Sequence, residues 1–233
     1  MKAAIMQPYF LPYIGYFQLI NAVDVFVIYD NIEYTKKGWI NRNRILINDK
    51  EGYFTLPLKK DSDYLNINQR ELAASYNKEN AKIIRKIAEL YKKAPQYKFI
   101  LPLIERIFMF DNRNVFNFIF NSLKIICEYL EIQTKFVISS SIVIDHTFKS
   151  QNKVIAICEK LKVTNYINPI GGQELYDKDV FNKNGIKLNF IKAHTIIYNQ
   201  FDNDFIPWLS IIDVLMFNSI EETKLLLNKY ELV

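Results

Sequence analysis

The sequence predicts a Rossmann-like α/β fold, a mostly parallel sheet interrupted by a helical insertion over about residues 78–130. Three observations carry that expectation. Short apolar runs rich in β-branched and aromatic residues alternate with stretches of helical period, the pattern that builds parallel sheets from βα units. The stretch 78–130 holds helical segments back to back with no strand-like run between them. The chain has 233 residues, half of them apolar, enough to bury one large core, so a single unit over 1–233 is expected.

Taken in order, the apolar run 2–6 is the first strand, and it stops before Gln7 and Pro8 because proline cannot donate to a ladder. Residues 15–22 suit a short helix. Residues 24–30, with Val25, Phe26, Val27 and Ile28 at the centre, read as the next strand. A strand-rich stretch at 45–58 carries a plausible hairpin turn at 49–52. The insertion divides into helices at 80–93, 99–110 and 115–130, separated by Ala94 with Pro95 and by Asp111 with Asn112. Beyond it come a strand at 135–138, a helix at 152–161, a strand at 165–168, the pair Gly171 and Gly172, a helix at 174–184 closed by Gly185, and a strand at 186–191. A helix over 208–217 follows. Ser219 with Glu222 three residues on is the capping-box signature of a last helix.

Composition narrows the function classes. The net charge is +5 and the lysines are scattered, which suits an anionic small ligand and gives no footprint for nucleic acid. Cys127 and Cys158 lie in helical patterns without a CxxC partner, so neither a disulfide framework nor a thiolate metal site is expected. His146 and His194 lack the spacing of a helical zinc site, and no Gly-x-Ser-x-Gly elbow occurs; no protein-bound transition metal is expected. The opening residues lack the apolar core of a signal peptide, and no run approaches the roughly 20 apolar residues of a membrane helix. The expectation is a cytoplasmic protein with no membrane partner. Oligomeric state is left open.

The stretch from Gln7 to Phe17, between the first strand and the first helix, carries the most chemistry. Pro8 and Pro12 stiffen the loop, Gly15 lets a backbone approach a ligand, and a helix N-terminus with free N–H groups attracts anions. Gln7, Pro8, Tyr9, Tyr13, Gly15 and Tyr16 are therefore candidates for a nucleotide site. A structural turn whose tyrosines pack inside is the equal alternative. Past the second strand, Lys36, Lys37, Arg42 and Arg44 stand where ligands collect in open α/β sheets, with Asn41 among them. Arginine's fork suits two phosphate oxygens, and Trp39 offers a face to a base or sugar. A solvated basic loop anchored by Trp39 is the bland reading. Asp30 is a candidate base, ribose ligand or magnesium ligand, whereas Asp24 is read as capping the strand start or the preceding helix end. Gly171 and Gly172 either cradle a phosphate or make a tight turn. Asp213, a carboxylate on an otherwise apolar helix, needs a partner and is read as holding Arg42 or Tyr16 in place.

The runs 5–17, 22–30 and 38–45, and later 168–176 and 205–213, resemble the sequence blocks of the WbqC-like protein family, so the resemblance covers nearly the whole chain. It implies a role in bacterial surface-polysaccharide assembly of the O-antigen type, and it adds Tyr176, inside one of those blocks, to the candidate binding residues. A second resemblance concerns mechanism. The layout of strand, proline loop, turn, helix and strand is similar to the opening of nucleotidylyltransferases and pantothenate-synthetase-like ligases, whose His-x-Gly-His motif binds a triphosphate. Here that motif is Tyr13, Ile14, Gly15 and Tyr16, with tyrosine at both histidine positions. Ile138 to Ser141 resembles the serine phosphate loop of the same enzymes, which makes Ser139 and Ser140 candidates; the arginine expected soon after is missing. Together the resemblances imply ATP with Mg2+ as a substrate, and a nucleotide-activated amino sugar with a small carboxylate or amino acid as partners. An acyl-adenylate attacked by the sugar's amine would attach an acyl or aminoacyl group, such as glycyl. In that scheme Tyr13, Tyr16 and the Gly15 backbone hold the triphosphate, Lys36 and Arg42 balance its charge, and Asp30 positions magnesium or the amine. A nucleotidylyltransferase that charges a sugar phosphate, or a non-catalytic subunit of a glycan-modifying enzyme, are the alternatives.

Overall fold

Strands β1 (Lys2–Met6) and β2 (Val25–Ile28) bury neighbouring residues without a break, which a strand does only when both of its faces are covered. Successive side chains serve opposite faces: Ala4, Phe26 and Ile28 belong to one core, Ala3, Ile5, Val25 and Val27 to another. The computed structural model describes residues 1–201 and 204–233, and it sets a sheet between two helical layers.

The other strands of this sheet are β5 (Lys135–Ile138), β6 (Asn165–Pro169), β7 (Lys187–Ala193) and β8 (Tyr230–Leu232). Among the described residues the sheet has six strands, in the order β5-β2-β1-β6-β7-β8. β1 runs parallel to β2 and β6, β2 to β5, and β6 to β7, whereas β8 is antiparallel to β7 at the edge. The chain therefore moves outward from β1 through β2 to β5, then crosses back to β6 beside β1. The two strand ends where the order reverses form the crevice in which open α/β sheets bind ligands.

Helices α5 (Ser150–Lys160) and α6 (Lys178–Lys183) cover one face, with Val154, Ile157, Cys158 and Phe181 buried against Ala3 and Ile5. The other face carries α1 (Ile14–Asn21), α2 (Tyr76–Tyr91), α3 (Tyr97–Phe108), α4 (Val115–Tyr129), α7 (Ile211–Phe217) and α8 (Ile220–Leu227), all of which contribute to one continuous core. The helices between β2 and β5 are thus packed into the same core as α1. In α4 the Asn114 side chain accepts from the Asn117 N–H, and Phe116, Phe118, Ile119, Leu123 and Ile126 are buried. Each such side chain contributes about 1.5–3 kcal/mol relative to leaving it in water.

The mixed α/β class with a mostly parallel sheet is the one the alternation predicts. Several boundaries differ for local reasons. The expected strand stretch 45–58 is a separate hairpin of β3 (Arg42–Ile47) and β4 (Lys50–Thr55), which among the described residues form a two-stranded sheet of their own. Its turn is Asn48 and Asp49, not 49–52: both take positive φ, 47° and 62°, as a two-residue hairpin turn demands. The expected helix 174–184 is a 3-10 turn over Ile170–Leu175 followed by α6, which begins where the Asp177 carboxylate accepts from Asp179 and Val180. The expected helix 208–217 begins only at Ile211, because Ser210 caps it and Trp208 sits at φ 62°. Strand β8 was not expected at all.

Candidate functional site

At the reversal of strand order lies a cleft of about 630 Å³. Its floor is Met6 and Gln7 at the end of β1, and Asn168 and Pro169 at the end of β6. Gly171, Gly172 and Tyr176 wall one side; Tyr29, just past β2, and Tyr9 wall the other, with Ser150, Gln151 and Val154 of α5 facing in. A helix that follows a parallel strand starts at the sheet's carboxyl edge, which is why the α5 N-terminus points here. That terminus has no side-chain cap, so its first N–H groups are open to a ligand. Gly172 lets the Asn168 amide approach: a Cβ there would stand 2.2 Å from Asn168 Nδ2 and push it aside.

Of the candidates read from sequence, Gln7, Tyr9, Gly171, Gly172 and Tyr176 meet in this cleft. Tyr9 also borders a smaller pocket of about 170 Å³, where Tyr13, Trp39 and Arg44 come together beside Trp208. Arg44 pairs with Glu51, donates from Nη2 to the Trp208 carbonyl at 3.0 Å and stands 5.2 Å from the Trp39 ring centre. Tyr13 and Trp208 divide that pocket from an apolar one of about 340 Å³ that also touches Gly15, His194 and Tyr198. A Cβ at Gly15 would stand 2.3 Å from the Tyr13 ring, so the glycine admits the tyrosine.

The remaining candidates are turned inward or lie elsewhere. Tyr16 is buried and donates to the Gln7 carbonyl at 2.8 Å, bracing the loop. Pro8 is buried beside it. Asp30 accepts from Ser140 N at 2.9 Å and, through Oδ2, from Ser140 Oγ at 2.6 Å and Asn68 Nδ2 at 2.8 Å. Ser139 Oγ donates to Asn31. The serine turn is therefore engaged by protein groups in the places where the ligase resemblance puts phosphate. Asn41 bridges Tyr34 and the Leu56 carbonyl. Lys36 forms an exposed pair with Asp63. The Arg42 guanidinium donates to the carbonyls of Gly38 and Lys37 and lies against Tyr53. Asp24 accepts from Lys2 N at 2.7 Å and so ties the start of β2 to the start of β1. Asp213 holds neither Arg42 nor Tyr16. Its partners are Tyr91, Tyr198 and Gln200, each at 2.7 Å, because α7 turns it away from the loop.

Burial keeps the cleft's tyrosines protonated. Desolvation, with a contribution from Tyr176, pushes Tyr29 up to about 12, and desolvation raises Tyr9 and Tyr176 as well. All three are neutral hydrogen-bonding groups with apolar faces at ordinary pH. Beside them is a residue the sequence reading passed over. Lys153, in the first turn of α5, is only 5% exposed, and its Nζ stands 4.9 Å from the centre of the Tyr29 ring. Burial lowers its pKa and Asp30 partly restores it. Lys153 lies four residues before Ile157, on the sheet-facing side of the helix, and a lysine in phase with buried residues was the available signal. Tyr29 was equally visible, one residue before Asp30. Ser150 and Gln151 carried no signal, since only the crossover brings them to β1.

Among the described residues no group of three or more His, Cys, Asp or Glu is placed to hold a metal ion, and no helix is long and apolar enough to cross a membrane. No solved structure matches the chain. The uncharacterized protein Rv1507c of Mycobacterium tuberculosis (strain ATCC 25618 / H37Rv) is 27% identical over 219 residues, 93% of each chain. The WbqC-like protein family matches over residues 7–225, from the loop at the end of β1 to the last helix, and the chain belongs to that family.

Proposed function

We propose that this protein is an enzyme of bacterial surface-polysaccharide assembly that binds a nucleotide-linked amino sugar in the switch-point cleft and acylates its amine. The observation that carries the reading is the cleft itself: an uncapped helix N-terminus, tyrosine faces and amide side chains gathered at the reversal of strand order. Helix N–H groups suit a diphosphate, Tyr9, Tyr29 and Tyr176 suit a base or sugar ring, and Gln7 and Asn168 suit hydroxyl or base edges. The acyl step rests on the family and ligase resemblances. In it the amine nitrogen bonds the acyl carbon, the bond from that carbon to the activating group breaks with its electrons on the leaving oxygen, and an amine proton is released. With ATP and Mg2+ as the activating reagent, pyrophosphate leaves when the acyl-adenylate forms and AMP leaves at transfer. Tyr16 and Ser140 spend their donors inside the protein, so the proposal does not seat the triphosphate on them.

A second reading has one observation in its favour. Among the described residues the cleft lining contains no carboxylate, histidine or cysteine, which fits a subunit that binds the sugar nucleotide for a catalytic partner. Calorimetric titration with UDP, UDP-N-acetylglucosamine and ATP with Mg2+ tests the binding claim. Saturable binding of a sugar nucleotide, weakened about tenfold or more in Gly172→Ala or Tyr176→Ala, is the expected outcome, on the scale of one lost close contact or stacking face. Binding that ignores both substitutions removes the cleft from the reading. AMP release dependent on an amino-sugar nucleotide separates ligase from binding subunit.

A further inference from the structure

Lys153 is a charged group without a charge partner. Its stem is buried in the first turn of α5, and among the described residues neither an ion pair nor a hydrogen bond holds its ammonium, which stands 4.9 Å from the centre of the Tyr29 ring. Asp30 acts on it from beyond ion-pair distance and already accepts from Ser140 and Asn68. The stem is buried and the ammonium partly desolvated, which lowers its pKa and disfavours its charge until an anion stands beside it. The same helical turn supplies uncapped N–H groups, and Ser150, Gln151 and Val154 of that turn line the cleft. Lys153 does not itself line the cleft, but its Nζ lies against Tyr29, which does; that ammonium and the free N–H groups of the same helix end call for the same ligand chemistry, a compact multivalent anion.

We infer that Lys153 and the N-terminal turn of α5 form a diphosphate-binding subsite in which the lysine's missing partner is the ligand. The subsite deepens the nucleotide-sugar reading and borrows from it only the identity of the ligand. No bond is made or broken. The lysine neutralises charge and hydrogen-bonds phosphate oxygens, and the helix dipole adds to it. The Tyr29 ring holds the ammonium in place when the subsite is empty.

A lysine kept for structure and a lysine kept for a ligand respond oppositely to removal. Lys153→Met retains the stem and deletes the charge, so the ligand-free variant is expected to melt at or above the wild-type temperature. Titration with sodium pyrophosphate, UDP and uridine reads the other half. Lys153→Met is expected to weaken pyrophosphate and UDP by about tenfold or more and leave uridine unchanged, with Lys153→Arg recovering most of the loss. Protection of Lys153 in the wild-type protein from acetic anhydride by pyrophosphate, read by mass spectrometry, gives the same answer if the methionine variant does not fold. Unchanged pyrophosphate affinity in Lys153→Met, or no protection, overturns the subsite. A lowered melting temperature with intact binding assigns the residue to structure instead. Lysine-dependent pyrophosphate binding without any nucleotide binding keeps the subsite and sinks the nucleotide-sugar reading; nucleotide binding indifferent to Lys153 does the reverse. If the wild-type protein binds none of the probes, both fall.

Discussion

Whether a polar residue serves a ligand or the fold depends on which groups reach it first. Asp213 is fully buried and meets two phenols and an amide but no cation. Burial raises its carboxyl above the ordinary 3.8, while the Tyr198, Tyr91 and Gln200 hydrogen bonds pull it down and only partly offset that rise. A raised value means the folded chain binds this proton more tightly than the unfolded chain. The residue's contribution to stability is therefore fullest in acid and declines as pH rises from 3.8 through the folded value. Asp213→Asn should lack that decline. Urea titrations of both proteins across that range measure it, and identical pH slopes would contradict the assignment. Asp30 and Tyr16 follow the same logic: each is saturated by protein partners, and each is a brace for the loops around the cleft.

At the scale of elements, a few long side chains fasten parts of the fold that are far apart in sequence. Tyr91 at the end of α2 accepts from Leu46 N in β3 at 3.0 Å and donates to Asp213 in α7 at 2.7 Å. One hydroxyl thus joins the hairpin to both helices. Tyr91→Phe should cost about 1–3 kcal/mol in denaturant unfolding, because a buried N–H and a buried carboxylate each lose a partner. Binding in the cleft should be unaffected; a stability change within error would mean water or rotation of Tyr198 replaces the bridge. Arg44 plays a comparable part from β3, and its bond to the Trp208 carbonyl, with Ser210 N donating to the Arg44 carbonyl, helps hold Trp208 at positive φ, with the residue 58% exposed. The exposed Lys36 pair with Asp63 is worth little by contrast, about 0–1 kcal/mol.

Across the whole molecule, the candidate cleft and the rest of the scaffold are separated by the direction of the sheet. The carboxyl ends of β1, β2 and β6 carry the cleft, and the antiparallel edge at β8 lies beyond β7 on the far side. Hydrogen exchange with and without a bound sugar nucleotide should slow residues 7–9, 150–154 and 168–176 and leave β8 and the β3–β4 hairpin unchanged. Protection centred on residues 36–44 would return the site to Lys36 and Arg42.

Much of this was legible in the sequence, because strand alternation, helical period and the proline stop after β1 are local properties set by nearest neighbours along the chain. Local chemistry also identified the loop 7–17, the family blocks and the glycines Gly171 and Gly172. Partnership was not legible. That Tyr16 turns to Gln7, that Ser140 is taken by Asp30, that Asp213 meets Tyr91 and Tyr198, and that Lys153 meets a ring and no anion all depend on contacts between residues 9 to 124 positions apart. The sequence by itself determined the fold class, the family and one wall of the cleft. Tertiary structure alone decided which polar groups are spent on the fold and which remain for a ligand, because a hydrogen-bonding group's availability is set by what the crossover connections bring to within 3 Å of it.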